Sequence, residues 1–202
     1  SADSNTAVGT NCMNQNTTGS QNTAIGDSSL RNATTAVGNV AVGYKALYAQ
    51  DPASTTDLFN VAVGANAGLA TTIGQYNTFI GGEAGKTNID GNAAVAVGYK
   101  ALFAQEPASN SDTDNTAVGF EAGVSVSTGI RNTLIGNNTA AALTTGSSNI
   151  VIGSSADVSG SSAENQLIIG YNATGVSDNS VQLGNASTTV WHPADDNGVD
   201  LG

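Results

Sequence analysis

Apolar and polar residues alternate along this chain in short bursts, and each burst ends on glycine. Most bursts open with asparagine and run through any residue, an apolar residue and a valine or isoleucine before the glycine. Full copies run from Asn5 to Gly9, Asn22 to Gly26, Asn39 to Gly43, Asn60 to Gly64, Asn77 to Gly81, Asn115 to Gly119, Asn132 to Gly136 and Asn149 to Gly153. Copies without the leading asparagine end at Gly98, Gly170 and Gly184. The intervals between these glycines are 17, 17, 21, 17, 17, 21, 17, 17, 17 and 14. A fixed period of this size is the mark of a repeat architecture, with one supersecondary unit per period. The two long intervals lie 55 residues apart, and Val42-Gly-Tyr-Lys-Ala-Leu-Tyr-Ala-Gln-Asp-Pro-Ala-Ser54 nearly repeats as Val97-Gly-Tyr-Lys-Ala-Leu-Phe-Ala-Gln-Glu-Pro-Ala-Ser109. A block of three coils has been duplicated. Thr35-Ala36-Val37-Gly38 is a half-match directly before Asn39 and reads as the return segment of the preceding coil.

The residue before each repeat glycine is Val8, Ile25, Val42, Val63, Ile80, Val97, Val118, Ile135, Ile152, Ile169 or Leu183, and ten of these eleven are β-branched. Such residues are stiff in helices and suit a pleated strand. The pattern predicts an all-β, parallel β-solenoid of about eleven coils of 17 residues, filling residues 1–184, followed by a C-terminal transition segment over 185–202. At about 4.8 Å per strand spacing the stack is a rod on the order of 50 Å long. A lone coil buries too little to offset its ordering entropy, so only the array is stable.

Strand side chains alternate between two faces. The Val/Ile column shares its face with Thr6, Thr23, Val40, Val61, Thr78, Val95, Thr116, Thr133, Ile150, Leu167 and Val181. The other face carries Ala7, Ala24, Ala41, Ala62, Phe79, Ala96, Ala117, Leu134, Val151, Ile168 and Gln182. Both are apolar. The expectation is that Val8, Ile25, Val42, Val63, Ile80, Val97, Val118, Ile135, Ile152 and Ile169 form the repeat core inside the coil. The alanine face is then left for sister chains to cover around an axis, as a homotrimer. The alternative is that one chain covers both faces. Asn5, Asn22, Asn39, Asn60, Asn77, Asn115, Asn132 and Asn149 are expected to form a ladder of side-chain amides from coil to coil. Five Asn-X-Ser/Thr acceptor patterns occur, beginning at Asn16, Asn32, Asn137, Asn172 and Asn185. Chance explains them in a chain so rich in these residues. A second small-residue slot follows each repeat glycine by three positions and holds Cys12, which reads as a packed thiol.

Composition narrows the function. Charged residues make up 10%, with 5 bases against 16 acids and a net charge of −11. The bases Arg31, Lys45, Lys86, Lys100 and Arg131 are scattered along the sequence and cannot neutralise a run of phosphates, which argues against nucleic acid and anionic membranes. No apolar stretch is long enough to span a bilayer, so no membrane insertion is expected. One cysteine excludes an intrachain disulfide framework. The start shows neither an initiator Met nor a signal-peptide pattern, as expected of a processed chain or a fragment.

The motifs Asn115-Thr-Ala-Val-Gly-Phe-Glu-Ala-Gly123 and Asn77-Thr-Phe-Ile-Gly-Gly-Glu-Ala-Gly85 resemble two related families over about residues 5–184. One is the repeat region of phage and viral tail fibres that end in an endosialidase-type intramolecular chaperone. The other is the β-roll head of trimeric autotransporter adhesins. The resemblance implies a left-handed β-roll around a three-fold axis. The 17-residue spacing and the Asn-Thr opening look more like the tail-fibre group. Asn179-Ser-Val-Gln-Leu-Gly-Asn185 and Val199-Asp-Leu-Gly202 look like strands that lead into such a chaperone, which that family releases by self-cleavage. The implied function is a structural trimeric segment of a viral tail fibre, extracellular or on the virion surface, serving host attachment or receptor recognition. The alternative is the head of a bacterial trimeric adhesin. A reading of another class is an ice-binding solenoid, weakened by Val40, Val61, Val95 and Ile150 in the threonine column.

Enzymatic chemistry is not expected. His192, the only histidine, sits in Val190-Trp-His-Pro193 and reads with Trp191 as a cap or interface. Asp195-Asp196-Asn197-Gly198 lacks the ligand count of a calcium loop. No phosphate loop or acid/base pair can be named, so no catalytic, cofactor or metal residue is assigned. The two long excursions, Tyr48 to Phe59 and Phe103 to Asp114, are the places for a glycan or protein receptor to touch. Their contact residues would be Gln50, Asp51, Pro52, Gln105, Glu106 and Pro107. The bland reading of both is a surface loop.

Overall fold

A computed structural model describes residues 2–52, 56–107 and 110–189. Trp191, His192, the Asp195–Gly198 turn and Val199–Gly202 lie outside the described residues. Among the described residues the chain is all β, with no helix. The strands are β1 (Thr6–Val8), β2 (Thr23–Ile25), β3 (Ala36–Val37), β4 (Val40–Val42), β5 (Thr56–Asp57), β6 (Val61–Val63) and β7 (Thr78–Ile80), followed by β8 (Val95–Val97), β9 (Thr116–Val118), β10 (Thr133–Ile135), β11 (Ile150–Ile152), β12 (Leu167–Ile169) and β13 (Val181–Leu183). All but β3 and β5 form one sheet, parallel throughout and ordered as in the chain. Its eleven strands are joined by about ten turns of a parallel solenoid.

The repeat motif sets the register. Val8 pairs with Ile25, Ile25 with Val42, Val42 with Val63 and Val63 with Ile80. The four residues added in the first long coil leave this register untouched. On the return side β3 pairs with β5 in a second, two-stranded sheet. Thr35-Ala36-Val37-Gly38 is that return segment.

The structure reverses the expected inside and outside of the main strand. The alanine face is the interior: Ala24, Ala41, Ala62, Phe79, Ala96, Ala117, Leu134, Val151 and Ile168 are completely buried. The expected core residues Val8, Ile25, Val42, Val63, Ile80, Val97, Val118, Ile135, Ile152 and Ile169 point outward instead, from half-buried to 58% exposed at Val8. Period two fixes which residues share a face and is silent on which face lies inside. Space decides that. The opposite wall carries Ala46, Ala67, Ala84, Ala101 and Ala122, also completely buried. With alanine on most of both walls the interior is thin, and the larger inward residues Phe79, Leu134, Val151 and Ile168 occupy single coils of it.

Core volume is balanced within and between neighbouring coils, as close packing requires. Where the inward strand residue is Ala24, Ala41 or Ala96, the facing turn supplies buried Leu30, Leu47 or Leu102. Where Phe79 fills the space, the corresponding turn positions are Gly68 and Gly85, and a Cβ on Gly68 would come within 2.9 Å of the Phe79 ring. Gly123 yields to Leu134 in the same way. The repeat glycines have a separate cause. Gly43, for example, holds a φ of +133°, and a Cβ there would meet the Gly64 carbonyl oxygen at 2.6 Å. Any larger residue would wedge adjacent turns apart.

The asparagine column closes the corner where the return segment enters the strand. Each side-chain oxygen accepts from the backbone N–H one coil on, as in Asn39 N–H to Asn22 Oδ1 (3.0 Å) and Asn149 N–H to Asn132 Oδ1 (3.0 Å). Most of the side-chain amides donate across their own coil, as in Asn60 to the Gly74 carbonyl (2.7 Å) and Asn132 to the Gly146 carbonyl (3.0 Å). Amide-to-amide bonds add to this, for example Asn149 Nδ2 to Asn132 Oδ1 at 3.0 Å. Where Ala94 stands in place of asparagine, its N–H still donates to Asn77 Oδ1 at 3.0 Å, but the side-chain rung is lost. Asn132→Ala should cost about 1–3 kcal/mol for each buried group it orphans, whereas Asn137→Ala, an exposed site, should stay within about 0.5 kcal/mol. Urea denaturation of both variants checks this.

Candidate functional site

Of the six residues read as receptor contacts, four are inside. Gln50, Pro52, Gln105 and Pro107 are buried, Asp51 is exposed and Glu106 is half-buried. Asp51 is also engaged, accepting from the backbone N–H and hydroxyl of Thr34. Ala53–Thr55 and Ala108–Ser109 lie outside the described residues. The Gln-acid-Pro motif thus turns its glutamine and proline into the coil. This leaves only Asp51 and Glu106 of the six on the surface.

The two glutamines have different surroundings. Gln105 Nε2 donates to Thr113 Oγ1 (3.1 Å) and reaches Asn88 Oδ1 (3.5 Å), and its Oε1 accepts from Asn115 Nδ2 (3.1 Å). The positions 55 residues earlier are Ala33, Leu58 and Asn60, of which two cannot bond. Accordingly, both polar atoms of the Gln50 side chain are buried without a partner. An unmet buried amide is destabilising, and a satisfied one is costly to remove. Gln50→Leu should therefore be neutral or stabilising by up to about 1 kcal/mol, and Gln105→Leu should lose about 1–3 kcal/mol. Chemical denaturation of the pair measures the difference.

Burial, and then the negative charge of Asp90, raise the Glu106 carboxyl above the usual glutamate value. The folded state therefore keeps this proton at a pH where the unfolded chain has released it. That contribution to stability is complete below the ordinary glutamate value and is lost as pH rises through the folded one. Relative to wild type, Glu106→Gln should lessen the loss of melting temperature that this carboxyl causes as pH rises above the ordinary glutamate value. A thermal-melt series across that range reads it.

Coil stacking gathers bases that stand far apart in sequence. Lys45 Nζ lies 5.1 Å from the Tyr44 ring centre and 5.5 Å from that of Tyr48. Arg31 lies over Tyr48 at 5.9 Å and donates from Nη1 to its hydroxyl at 3.2 Å. The second block repeats the cluster. Lys100 sits 5.2 Å from Tyr99 and 5.5 Å from Phe103, and Lys86 sits 5.4 Å from Phe103. Four of the five bases thus fall into two clusters related by the duplication, which corrects the reading of them as scattered. Linear spacing conceals this, because Arg31 reaches Lys45 and Tyr48 only one turn along the stack. Tyr99 also stacks on Phe120 (5.5 Å) and Phe59 on Tyr76 (6.2 Å), all four rings well exposed.

Elsewhere the chemistry is sparse. Cys12 is half-buried, with Sγ 3.1 Å from both the Ala24 carbonyl and Ser29 Oγ. A shallow hollow near the C-terminal end is lined by Asn172, Thr174, Val176, Gln182, Asn185, Ala186 and Ser187, none of them charged. Among the described residues no group of three His, Cys, Asp or Glu side chains could hold a metal ion, and no helix is long and apolar enough to cross a membrane. The outward strand face is also uncovered, with the Val/Ile column beside a column of threonine, valine and isoleucine. No family model matches this chain, and no curated protein or solved structure matches it either.

Proposed function

We propose that this chain is a structural segment of a homotrimeric fibre that serves host attachment, of the kind found in viral tail fibres and built as a left-handed β-roll. The supporting observation is the outward strand face. Val8, Ile25, Val63, Ile80, Val118, Ile135 and Ile169 are all exposed in the single chain, and they stack in one column along the rod. An apolar face this long and regular is a contact surface. Since the alanine column fills the coil, the Val/Ile column is the one that sister chains cover, the reverse of the assignment made from sequence. A head of a bacterial trimeric adhesin fits the same face. In both readings the chain is extracellular or on a virion surface, and no catalytic role is assigned.

The same face bears on the ice-binding reading. Thr23, Thr78, Thr116 and Thr133 point outward and are half-buried, so burial does not count against it. The interruptions at Val40, Val61, Val95 and Ile150 still do. Native mass measurement separates the readings. The fibre reading expects an assembly of three times 20.0 kDa, and Val63→Asp with Ile80→Asp should reduce it to single chains. A wild-type monomer showing thermal hysteresis would favour the ice-binding solenoid. A monomer without it would remove both.

A further inference from the structure

The duplicated clusters differ at several positions, among them Ser28/Glu83, Arg31/Lys86 and Tyr48/Phe103, and the first of these differences points to a ligand. In the second block a carboxylate lies between the two cations: Glu83 Oε1 is 2.9 Å from Lys86 Nζ, and Oε2 is 3.9 Å from Lys100 Nζ. The corresponding residues 55 positions earlier are Ser28, Arg31 and Lys45. Ser28 and Glu83 share the same left-handed backbone, with φ of 58° and 59°. The serine cannot reach the cations as the glutamate does, and its hydroxyl donates to Asp27 Oδ1 at 2.7 Å. Among the described residues neither Arg31 nor Lys45 has an acidic group within ion-pair distance, Asp27 included. Two cations therefore flank one tyrosine ring without a direct ion pair, while the Asp27 carboxylate, at the place of Gly82, is held by the Ser28 hydroxyl.

We infer that Arg31 and Lys45, with the rings of Tyr44 and Tyr48, bind the carboxylate of an acidic sugar unit of the uronic-acid type. The second block supplies the template, since it holds a carboxylate between the matching pair of cations. Arginine at the place of Lys86 suits this, because its planar fork matches a carboxylate better than an ammonium does. Among the described residues only its bond to the Tyr48 hydroxyl engages the guanidinium, and Nε is buried, so a ligand would meet the Nη end. The Tyr44 ring is 48% exposed and offers a flat apolar surface beside the charge, which favours a sugar ring over a peptide carboxylate. Distant acids of the chain are screened beyond about 8 Å at physiological salt and do not forbid an anion here. Glu83 makes the second site a self-filled copy. The site deepens the attachment reading above by naming a ligand class, and it needs no particular oligomeric state.

The test uses the intact protein and ligand-observed NMR titration with tri-galacturonate, with maltotriose and hexaglutamate as comparison probes. A single exposed site of this kind should bind at around millimolar concentration. Ser28→Glu should reproduce the second block and weaken binding at least tenfold. Glu83→Ser should open the second site and raise the bound fraction about twofold below saturation. Should Ser28→Glu not fold, Arg31→Gln combined with Lys45→Gln is expected to give the same loss, with circular dichroism confirming the β signal. No binding by wild type, or binding unchanged by these variants, overturns the site. Equal binding of maltotriose overturns the role of charge, and binding of hexaglutamate in place of the sugar overturns the sugar assignment. The native mass of the same sample is read separately, so failure of the fibre reading and failure of this site are distinguishable.

Discussion

Each main strand of this protein is three residues long, and nothing within one coil can hold it in place. Its hydrogen bonds run to the coil before and the coil after, so every turn is a template for the next. Such a stack tolerates only a narrow set of residues at the points where turns touch. The repeat glycine must let two backbones meet, the asparagine must bridge strand and return segment, and the inward residue must share a thin interior with an alanine wall. These demands recur along most of the stack, and they are why the sequence repeats so visibly with so little charge.

That same thinness explains which parts of the structure were legible in the sequence. Valine and isoleucine before glycine gave away the strands, and a constant spacing gave away their parallel register. The inside of the coil was not legible, because alternation divides a strand into two faces without ranking them. Bulk suggested that Val42 and Val97 belonged in the core. The structure instead buries Ala41 and Ala96 beside Ala46 and Ala101, and turns Val42 and Val97 outward. A sequence signal for the true interior did exist: glycine at 68, 85 and 123 tracks Phe79 and Leu134, and leucine at 30, 47 and 102 tracks alanine in the strand. Only a core residue needs a partner that shrinks as it grows.

The duplicated block shows what the scaffold leaves free to vary. Positions that carry the stack are kept in both copies, including Gly43 and Gly98, Ala46 and Ala101, and Leu47 and Leu102. Positions around them have diverged, and with chemical consequence. Gln105 is fully engaged while Gln50 is stranded among apolar neighbours. Glu83 neutralises a pair of lysines while Ser28 leaves its cations unmet. Neither difference could be read from local spacing alone, since each depends on a residue that the fold brings near, Thr113 eight positions from Gln105 and Lys100 seventeen from Glu83. The excursions drew attention in the sequence because they are long. The clusters beside them carry the charge.

The polarity of the strand is open to a direct chemical test in a Cys12→Ser background. Cysteine placed at Val97 faces outward, on the column assigned to sister chains, and mild oxidation should link chains into covalent dimers. Cysteine placed at Ala96 faces the sealed interior and should neither cross-link nor react with maleimide until the protein is unfolded. Cross-linking at 96, or a thiol at 97 that is freely labelled and never joins two chains, would contradict an alanine-filled coil with its Val/Ile column held against sister copies.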